Sequence, residues 1–216
     1  MSWERYIRRL GAWRAFVYIA IAVAALVWVL VAHAASVGQS APTFSGKDSQ
    51  GKTVSLDQYR GKYVVLEWTN RTCPFTKKHY DSGNMQALQQ QWTGKGVVWL
   101  TVLSSSPSHV SDGYMTAPEE NAYIEKVGAH PTAAILDPSG AIGREYGAKT
   151  TPHMFVIDPQ GKLIYAGAID DKATTDTDDV KTARNYVSAA LTEAMAGQPV
   201  EVASTRPYGC SVKYGN

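Results

Sequence analysis

The chain has 216 residues, a formal net charge of +2 at neutral pH and only two cysteines. Hydrophobic residues make up 44% of the sequence, which excludes an intrinsically disordered chain and a collagen-like repeat. Two cysteines are too few for a disulfide-dense miniprotein, and the near-neutral charge excludes a dedicated nucleic-acid binder. The length fits one domain with appendages, or at most two small domains.

The N-terminal segment carries its charges and its apolar residues in separate blocks. Four arginines precede the apolar block: Arg5, Arg8, Arg9 and Arg14. Residues 15–35 then carry no formal charge, which is typical of a membrane anchor or of a secretion signal cleaved near Ala34. Either reading places the rest of the chain in the periplasm or another extracytoplasmic space, because the arginines stay in the cytoplasm. We therefore divide the chain into a signal or anchor (1–36), a folded domain (37–197) and a C-terminal tail (198–216).

The folded part alternates apolar runs with helical stretches. A turn rich in Gly, Asp and Ser between Phe44 and Thr53 predicts an N-terminal β-hairpin. Further along the chain the pattern predicts strands at 63–68, 97–103 and 132–136, helices at about 74–92 and 118–127, and a second hairpin at 154–157 and 162–166. A last helix spans roughly 180–196 and ends at Gly197. Periodicity therefore predicts an α/β fold in one domain.

Cys73 carries the clearest chemical signal. It follows a loop after a predicted strand and precedes Pro74, a residue type favoured at the first position of a helix. Its sulfur would then lie at a helix N-terminus, where unpaired amides and the helix dipole lower the pKa of a thiol. The cations of Arg71, Lys77 and Lys78 are expected to act in the same direction. Cys73 is thus a candidate nucleophile, with an inert buried cysteine as the alternative.

Four segments of the folded part are distinctive: GKTVSLDQYRGKYVVLEW, CPF, TTPHMFVID and GKLIYAG. Over about Val37–Ala168 the chain resembles the thioredoxin-like redoxin group, the alkyl hydroperoxide reductase/thiol-specific antioxidant superfamily. The stretches NRTCPFTKKHY and RPYGCSVKY are similar to those of exported members. The resemblance implies a thioredoxin-like α/β sandwich. It also places Pro152 at the family's cis-proline, so that the Thr151–Pro152 loop packs against the active cysteine and offers a backbone edge to substrate.

The chain departs from this family three residues before the cysteine. Thioredoxins carry Cys-x-x-Cys and peroxiredoxins Thr-x-x-Cys, whereas Asn70 stands at that position here. A proline that peroxiredoxins carry further upstream is replaced by Leu66. Asn70, whose amide can donate a hydrogen bond, and its neighbour Arg71 are the candidate substrate-binding residues.

The leading hypothesis is an exported thiol-based oxidoreductase without a cofactor or a bound metal. Cys73 would attack a peroxide or a protein disulfide, and Cys210 would resolve the sulfenic acid or mixed disulfide that forms. The only two cysteines of an exported chain are expected to form one reversible disulfide, with Cys210 in a tail that can move. An external thiol would reduce that disulfide again. The sequence leaves the oligomeric state open.

Two alternatives stay open. One is a non-catalytic thioredoxin-like module that binds partners along the Thr151–Pro152 loop, where Cys73 and Cys210 form only a structural disulfide. The other is a copper-handling protein of the same fold, because Cys73 has His153 and His79 as possible companions. The chain lacks the Cys-x-x-x-Cys pair of such copper proteins. Soft metals prefer several thiolates or imidazoles at fixed geometry, which disfavours the copper hypothesis.

Overall fold

The computed structural model of this protein describes residues 34–215. Most of the predicted signal or anchor lies outside the described residues, so that assignment stays a prediction. Within residues 34–215, no helix has the length and apolar character needed to cross a membrane.

The centre of the fold is a seven-stranded sheet with the order β2-β1-β5-β4-β3-β7-β8. In chain order the strands are β1 (Ser45–Asp48), β2 (Thr53–Ser55), β3 (Val64–Trp68), β4 (Val98–Leu103), β5 (Ala133–Leu136), β6 (Thr150–Thr151), β7 (His153–Ile157), β8 (Leu163–Gly167) and β9 (Cys210–Ser211). β3, β4 and β5 are parallel, and the other pairs in the sheet are antiparallel. This is the thioredoxin-like α/β arrangement that the resemblance implies.

Five α-helices accompany the sheet among the described residues: α1 (Pro74–Asp81), α2 (Asn84–Thr93), α3 (Ala117–Val127), α4 (Ala141–Tyr146) and α5 (Tyr186–Met195). The single helix predicted over 74–92 is two helices, because Gly83 takes a left-handed φ of +76° between them. The last helix starts later than predicted, since the Asn185 side chain caps it by accepting from the Ser188 N–H at 2.8 Å. The short α4 was not predicted.

Three adjacent strands of the sheet, β4, β3 and β7, are buried at every position. On one face of the sheet Trp68 packs against Tyr146 and Phe155, with ring centroids 5.3 and 5.1 Å apart. On the other face Trp99 belongs to a cluster that includes Trp92 of α2. Because both faces are covered, these strands are largely apolar, apart from the buried Glu67, Thr101 and His153, and that is why the sequence reveals them clearly.

The C-terminal residues run back across the domain. We call residues 207–215 the strap. β9 pairs with β6 in a separate two-stranded sheet, with Thr151 opposite Cys210. The Val212 N–H donates to the Lys149 carbonyl at 3.0 Å, which continues the contact beyond β9. The structure therefore holds Cys210 in place through backbone hydrogen bonds, whereas the sequence analysis expects a tail that can move.

Candidate active site

Cys73 is the N-cap of α1, directly after the loop that leaves β3. Its backbone is extended, with φ −73° and ψ 122°, and Pro74 takes the first helical position. The sulfur therefore lies at the helix N-terminus, as the Cys-Pro sequence predicts. Only 1% of Cys73 is exposed to solvent.

The immediate neighbours of this sulfur come from three parts of the chain. The Thr151 carbonyl oxygen lies 2.9 Å from Cys73 Sγ and accepts from the thiol when it is protonated. The Cys210 N–H donates to the same sulfur across 3.4 Å. The Thr151–Pro152 peptide bond is cis. Cys73, Thr151, Pro152 and Cys210, the four residues predicted to carry the chemistry, thus lie together although they span 137 positions of the chain.

The hydrogen bonds around Cys73 favour its thiolate form. Burial by itself raises the pKa of Cys73, but donors oppose it: the Cys210 thiol, the Thr76 N–H, the Thr151 hydroxyl and the Cys210 N–H, in decreasing order of effect. On balance they lower the pKa of Cys73 below its ordinary value. The Thr151 carbonyl, which accepts from the thiol, favours the protonated form instead.

Cys210 has the opposite character. Burial, the hydrogen bond that its thiol donates to Cys73 and the negative charge of that sulfur raise the pKa of Cys210 to about 11. At neutral pH Cys73 is therefore the more readily ionised of the two, and Cys210 keeps its proton. Both cysteines are free thiols in this structure. The site can thus separate a nucleophile from a protonated second thiol beside it.

Asn70 shapes the loop before Cys73. Its Oδ1 accepts from both the N–H and the hydroxyl of Thr72 at 2.8 Å, and its Nδ2 donates to the Asp112 carbonyl at 2.7 Å. Gly113 is needed here, because a Cβ at that position would overlap the Asn70 amide. The Asn70 side chain is therefore engaged in loop contacts. Its predicted role in binding substrate stays a prediction.

Arg71 lies at a charged groove beside the site. The groove is lined by residues of α1, α3 and the preceding loop: Arg71, Thr72, Lys77, Asp81, Glu119, Tyr123 and Lys126. Hydrogen bonds from the N–H and the hydroxyl of Thr116 lower the pKa of Glu119, with a smaller contribution from the charge of Arg71. Burial and the charge of Glu67 raise the pKa of Glu120, and the charge of Arg71 opposes them only in part. The predicted role of Arg71 in substrate binding also stays a prediction.

Lys78 and His79 both lie close to the Asp170 carboxylate, and His79 also contacts the strap. Lys78 Nζ donates to the Lys172 carbonyl at 2.7 Å and lies 3.7 Å from Asp170 Oδ2, while both side chains are buried. His79 Nε2 lies 3.2 Å from the Tyr208 hydroxyl, and burial lowers the pKa of His79 to about 4. The sequence analysis expects Lys78 to stabilise the Cys73 thiolate, but the structure pairs this cation with Asp170.

Thr76 is a site residue that the sequence analysis did not identify. It stands three residues after Cys73, where a Cys-x-x-Cys motif that began at Cys73 would place its second cysteine. Its N–H acts to lower the pKa of Cys73, and its hydroxyl is buried without a hydrogen-bond partner among residues 34–215. The stretch CPFT contains the spacing that could have revealed it. The Cys-x-x-Cys motif was instead compared on the N-terminal side of Cys73, at Asn70.

A buried carboxyl pair lies between β3 and α3. Glu67 accepts from the Tyr80 hydroxyl, from Trp99 Nε1 and from Gln89 Nε2, at 2.9, 2.8 and 3.2 Å. Burial raises the pKa of Glu67. Burial and the charge of Glu67 raise the pKa of Glu120 to about 8. The interior between β3 and α3 therefore holds two carboxyl groups whose pKa values lie above the ordinary one.

The copper hypothesis depends on a cluster of ligands. Among residues 34–215 no group of three or more His, Cys, Asp or Glu side chains is arranged to hold a metal ion. The His153 ring lies against Phe155, with centroids 4.4 Å apart, and its Nδ1 accepts from the Lys149 N–H at 3.2 Å.

Comparison with known proteins agrees with this geometry. The chain is 27% identical over 128 residues to the thiol-disulfide oxidoreductase ResA of Bacillus thuringiensis subsp. konkukian, an alignment that covers 59% of this chain and 67% of the relative. An uncharacterized conserved protein from Geobacillus kaustophilus superposes with a TM-score of 0.71 at 22% identity, covering 83% of this chain and 93% of that one.

A hypothetical protein from Sinorhizobium meliloti 1021 also superposes with a TM-score of 0.71, at 19% identity and over 85% of this chain and 97% of the other. At these identities the two structures establish the thioredoxin-like fold alone. The AhpC/TSA family pattern matches residues 37–166, more than half of the chain, and includes Cys73, Thr151 and Pro152. This chain therefore belongs to the AhpC/TSA family.

Proposed function

We propose that this protein is a thiol–disulfide oxidoreductase of the thioredoxin-like type, with Cys73 as the nucleophile and Cys210 as the resolving thiol. The observation that carries the proposal is the contact between the two residues. The backbone and the thiol of Cys210 both donate to the Cys73 sulfur, which favours its thiolate form. The curated relative is named for the same class of reaction, which supports this assignment.

The reaction with a disulfide proceeds in two exchanges. The Cys73 thiolate attacks one sulfur of the substrate, the substrate S–S bond breaks, and a mixed disulfide forms. The leaving thiolate takes up the proton that Cys210 gives up. Cys210 then attacks the Cys73 sulfur and releases the second substrate thiolate, leaving a Cys73–Cys210 disulfide. The substrate has gained two electrons, and an external dithiol returns the protein to its reduced form.

Peroxide is the second candidate substrate, and the burial of Cys73 favours it. The sulfur is 1% exposed, so a small oxidant needs less room than a polypeptide to reach it. The Cys73 thiolate would attack one peroxide oxygen and break the O–O bond, giving a sulfenic acid and a water or alcohol. Attack by Cys210 on the sulfenic sulfur then releases water and forms the same Cys73–Cys210 disulfide.

We further propose that the reaction takes place outside the cytoplasmic membrane. The four arginines and the uncharged run at 15–35 support this placement, with the chain either anchored or released after cleavage near Ala34. A reporter fused after Ala41 should then be active only when the reporter works outside the cytoplasm. Activity of a cytoplasm-only reporter at that position would overturn the placement.

Stopped-flow kinetics on the reduced full-length chain in detergent test the chemistry. Hydrogen peroxide and oxidised glutathione are the two probes, and Cys73→Ser and Cys210→Ser are the variants. We expect Cys73→Ser to abolish the reaction, and Cys210→Ser to stop at a mixed disulfide or sulfenic acid on Cys73 that mass spectrometry detects. Equal rates for wild type and Cys73→Ser would refute the proposal.

Equilibration with glutathione separates a working pair from a structural disulfide. A working Cys73–Cys210 disulfide should be reduced and re-formed within the range of redox potentials that the glutathione couple covers. A disulfide that stays oxidised below about −300 mV would instead support the non-catalytic binding module.

A further inference from the structure

The strap lies over the sulfur in the conformation of a bound extended peptide. β9 runs antiparallel to β6, with Cys210 opposite Thr151 and Ser211 opposite Thr150. Gly209 makes this approach possible, because it has a φ of +131° and a Cβ there would overlap the Thr151 carbonyl. The backbone edge before Pro152, which the family resemblance assigns to substrate, is therefore occupied by the chain's own residues.

Tyr208 anchors the strap on one side of Cys210. Its hydroxyl donates to Asp170 Oδ1 and lies 3.2 Å from His79 Nε2. Its ring lies against Phe75 in the first turn of α1, with centroids 5.8 Å apart. This anchor connects the strap to the helix that begins at Cys73.

Tyr214 anchors the strap on the other side. Its hydroxyl donates to the Ala148 carbonyl at 2.8 Å, and the Arg144 guanidinium lies 4.8 Å from its ring centroid. The ring fits because Gly140 and Gly143 have no side chain, and a Cβ at either position would overlap it. Two glycines at the start of α4 thus form a socket that receives Tyr214.

Together these contacts close the site. The strap covers the Cys73 sulfur and uses the hydrogen-bonding groups of β6, which leaves no room for a second extended chain at that edge. We propose that the strap is an intramolecular competitor of polypeptide substrates, and that it must detach from β6 before a cysteine-bearing segment of another protein can pair there and react with Cys73. The inference rests on the proposed function for the identity of the substrate, but the opening of the strap can be measured without turnover.

Two variants weaken the Tyr214 anchor from opposite sides. Tyr214→Phe removes one hydroxyl and keeps the ring, whereas Gly143→Ala fills the socket from α4 without altering the strap. Tyr63→Phe is the matched control, because the Tyr63 hydroxyl also donates to a backbone carbonyl, that of Ala194 at 2.9 Å, away from the strap. Tyr214→Phe keeps the test valid if Gly143→Ala does not fold. Thermal unfolding verifies that each variant is folded.

The first readout is the rate at which iodoacetamide alkylates Cys73 in the reduced full-length chain, at a pH above the pKa of Cys73 and with the modified residue identified by mass spectrometry. We expect Tyr214→Phe and Gly143→Ala to raise this rate about fivefold, which corresponds to about 1 kcal/mol at 1.4 kcal/mol per tenfold. The control should match wild type. An unchanged rate in both strap variants, or the same increase in the control, would overturn the inference.

The second readout is the reduction of insulin compared with that of oxidised glutathione. We expect the strap variants to accelerate the reaction with insulin more than the reaction with glutathione, because only the polypeptide needs the edge of β6. Equal acceleration of both substrates would contradict competition at that edge. Faster alkylation without insulin reduction by any form of the protein would support the opening of the strap and count against the proposed function.

Discussion

Replacing Cys210 by alanine should raise the pKa of Cys73. The substitution removes the thiol that donates to the Cys73 sulfur, which is the strongest of the donors that stabilise its thiolate. The N–H groups of Thr76 and of residue 210 remain, because they belong to the backbone. The expected rise in the pKa of Cys73 is therefore partial, and it measures the contribution of the Cys210 side chain alone.

The size of this change follows from the kind of donor lost. A hydrogen bond to a charged group contributes about 1.5–3 kcal/mol, and a thiol is a weak donor, so the lower end applies. One pKa unit corresponds to about 1.4 kcal/mol, so the pKa of Cys73 should rise by about one unit. In Cys210→Ser the hydroxyl can still donate, and the pKa of Cys73 should stay close to that of wild type.

Thiolate absorbance at 240 nm, recorded against pH, measures the pKa directly in these single-cysteine variants. Wild type should show a transition for Cys73 below its ordinary value. The alanine variant should titrate about one unit above the serine variant. Coincident curves for alanine and serine would refute the reasoning, because the side chain of Cys210 would then contribute nothing to the thiolate.

Three further predictions address the rest of the site. Gly209→Ala should lift the strap from Thr151 and slow disulfide formation in the reduced protein, measured by thiol counting after an oxidant pulse; unchanged kinetics would contradict the role of this glycine. In Thr76→Cys, Cys73 should form its disulfide with the thiol introduced at position 76 and no longer with Cys210. A peptide map that shows only the Cys73–Cys210 disulfide would argue against the N-cap geometry. Glu120 has a pKa of about 8 in the folded chain, against an ordinary value of 4.5. Its favourable contribution to the free energy of unfolding is therefore complete below pH 4.5 and is lost as the pH rises to about 8. Glu120→Gln should therefore gain stability relative to wild type over that window, by up to about 1.4 kcal/mol per pH unit in urea unfolding, and a constant difference would contradict burial of the carboxyl.

Local sequence patterns were sufficient where the structure depends on local causes. The runs at 63–68 and 97–103 predicted β3 and β4, because strands covered on both faces are built mainly from apolar residues. The Cys73–Pro74 pair predicted the N-cap of α1, since this geometry depends on adjacent residues. The sequence did not predict the break at Gly83. The φ of a glycine inside an amphipathic run is fixed only when the two flanking helices pack, so the local sequence does not reveal it.

The surroundings of the sulfur depend on contacts that no local pattern contains. The sequence supplied two cysteines and a Thr-Pro pair, but only the folded chain places Cys210 opposite Thr151 and turns the C-terminal residues into a strap. Tyr214 holds the strap at the socket that includes Gly143, which lies on an element too short for its periodicity to be read. The sequence by itself therefore determined the fold class and the position of Cys73 at a helix N-terminus. Tertiary packing decided which residues surround the nucleophile and what covers it, because those contacts join segments far apart in the chain.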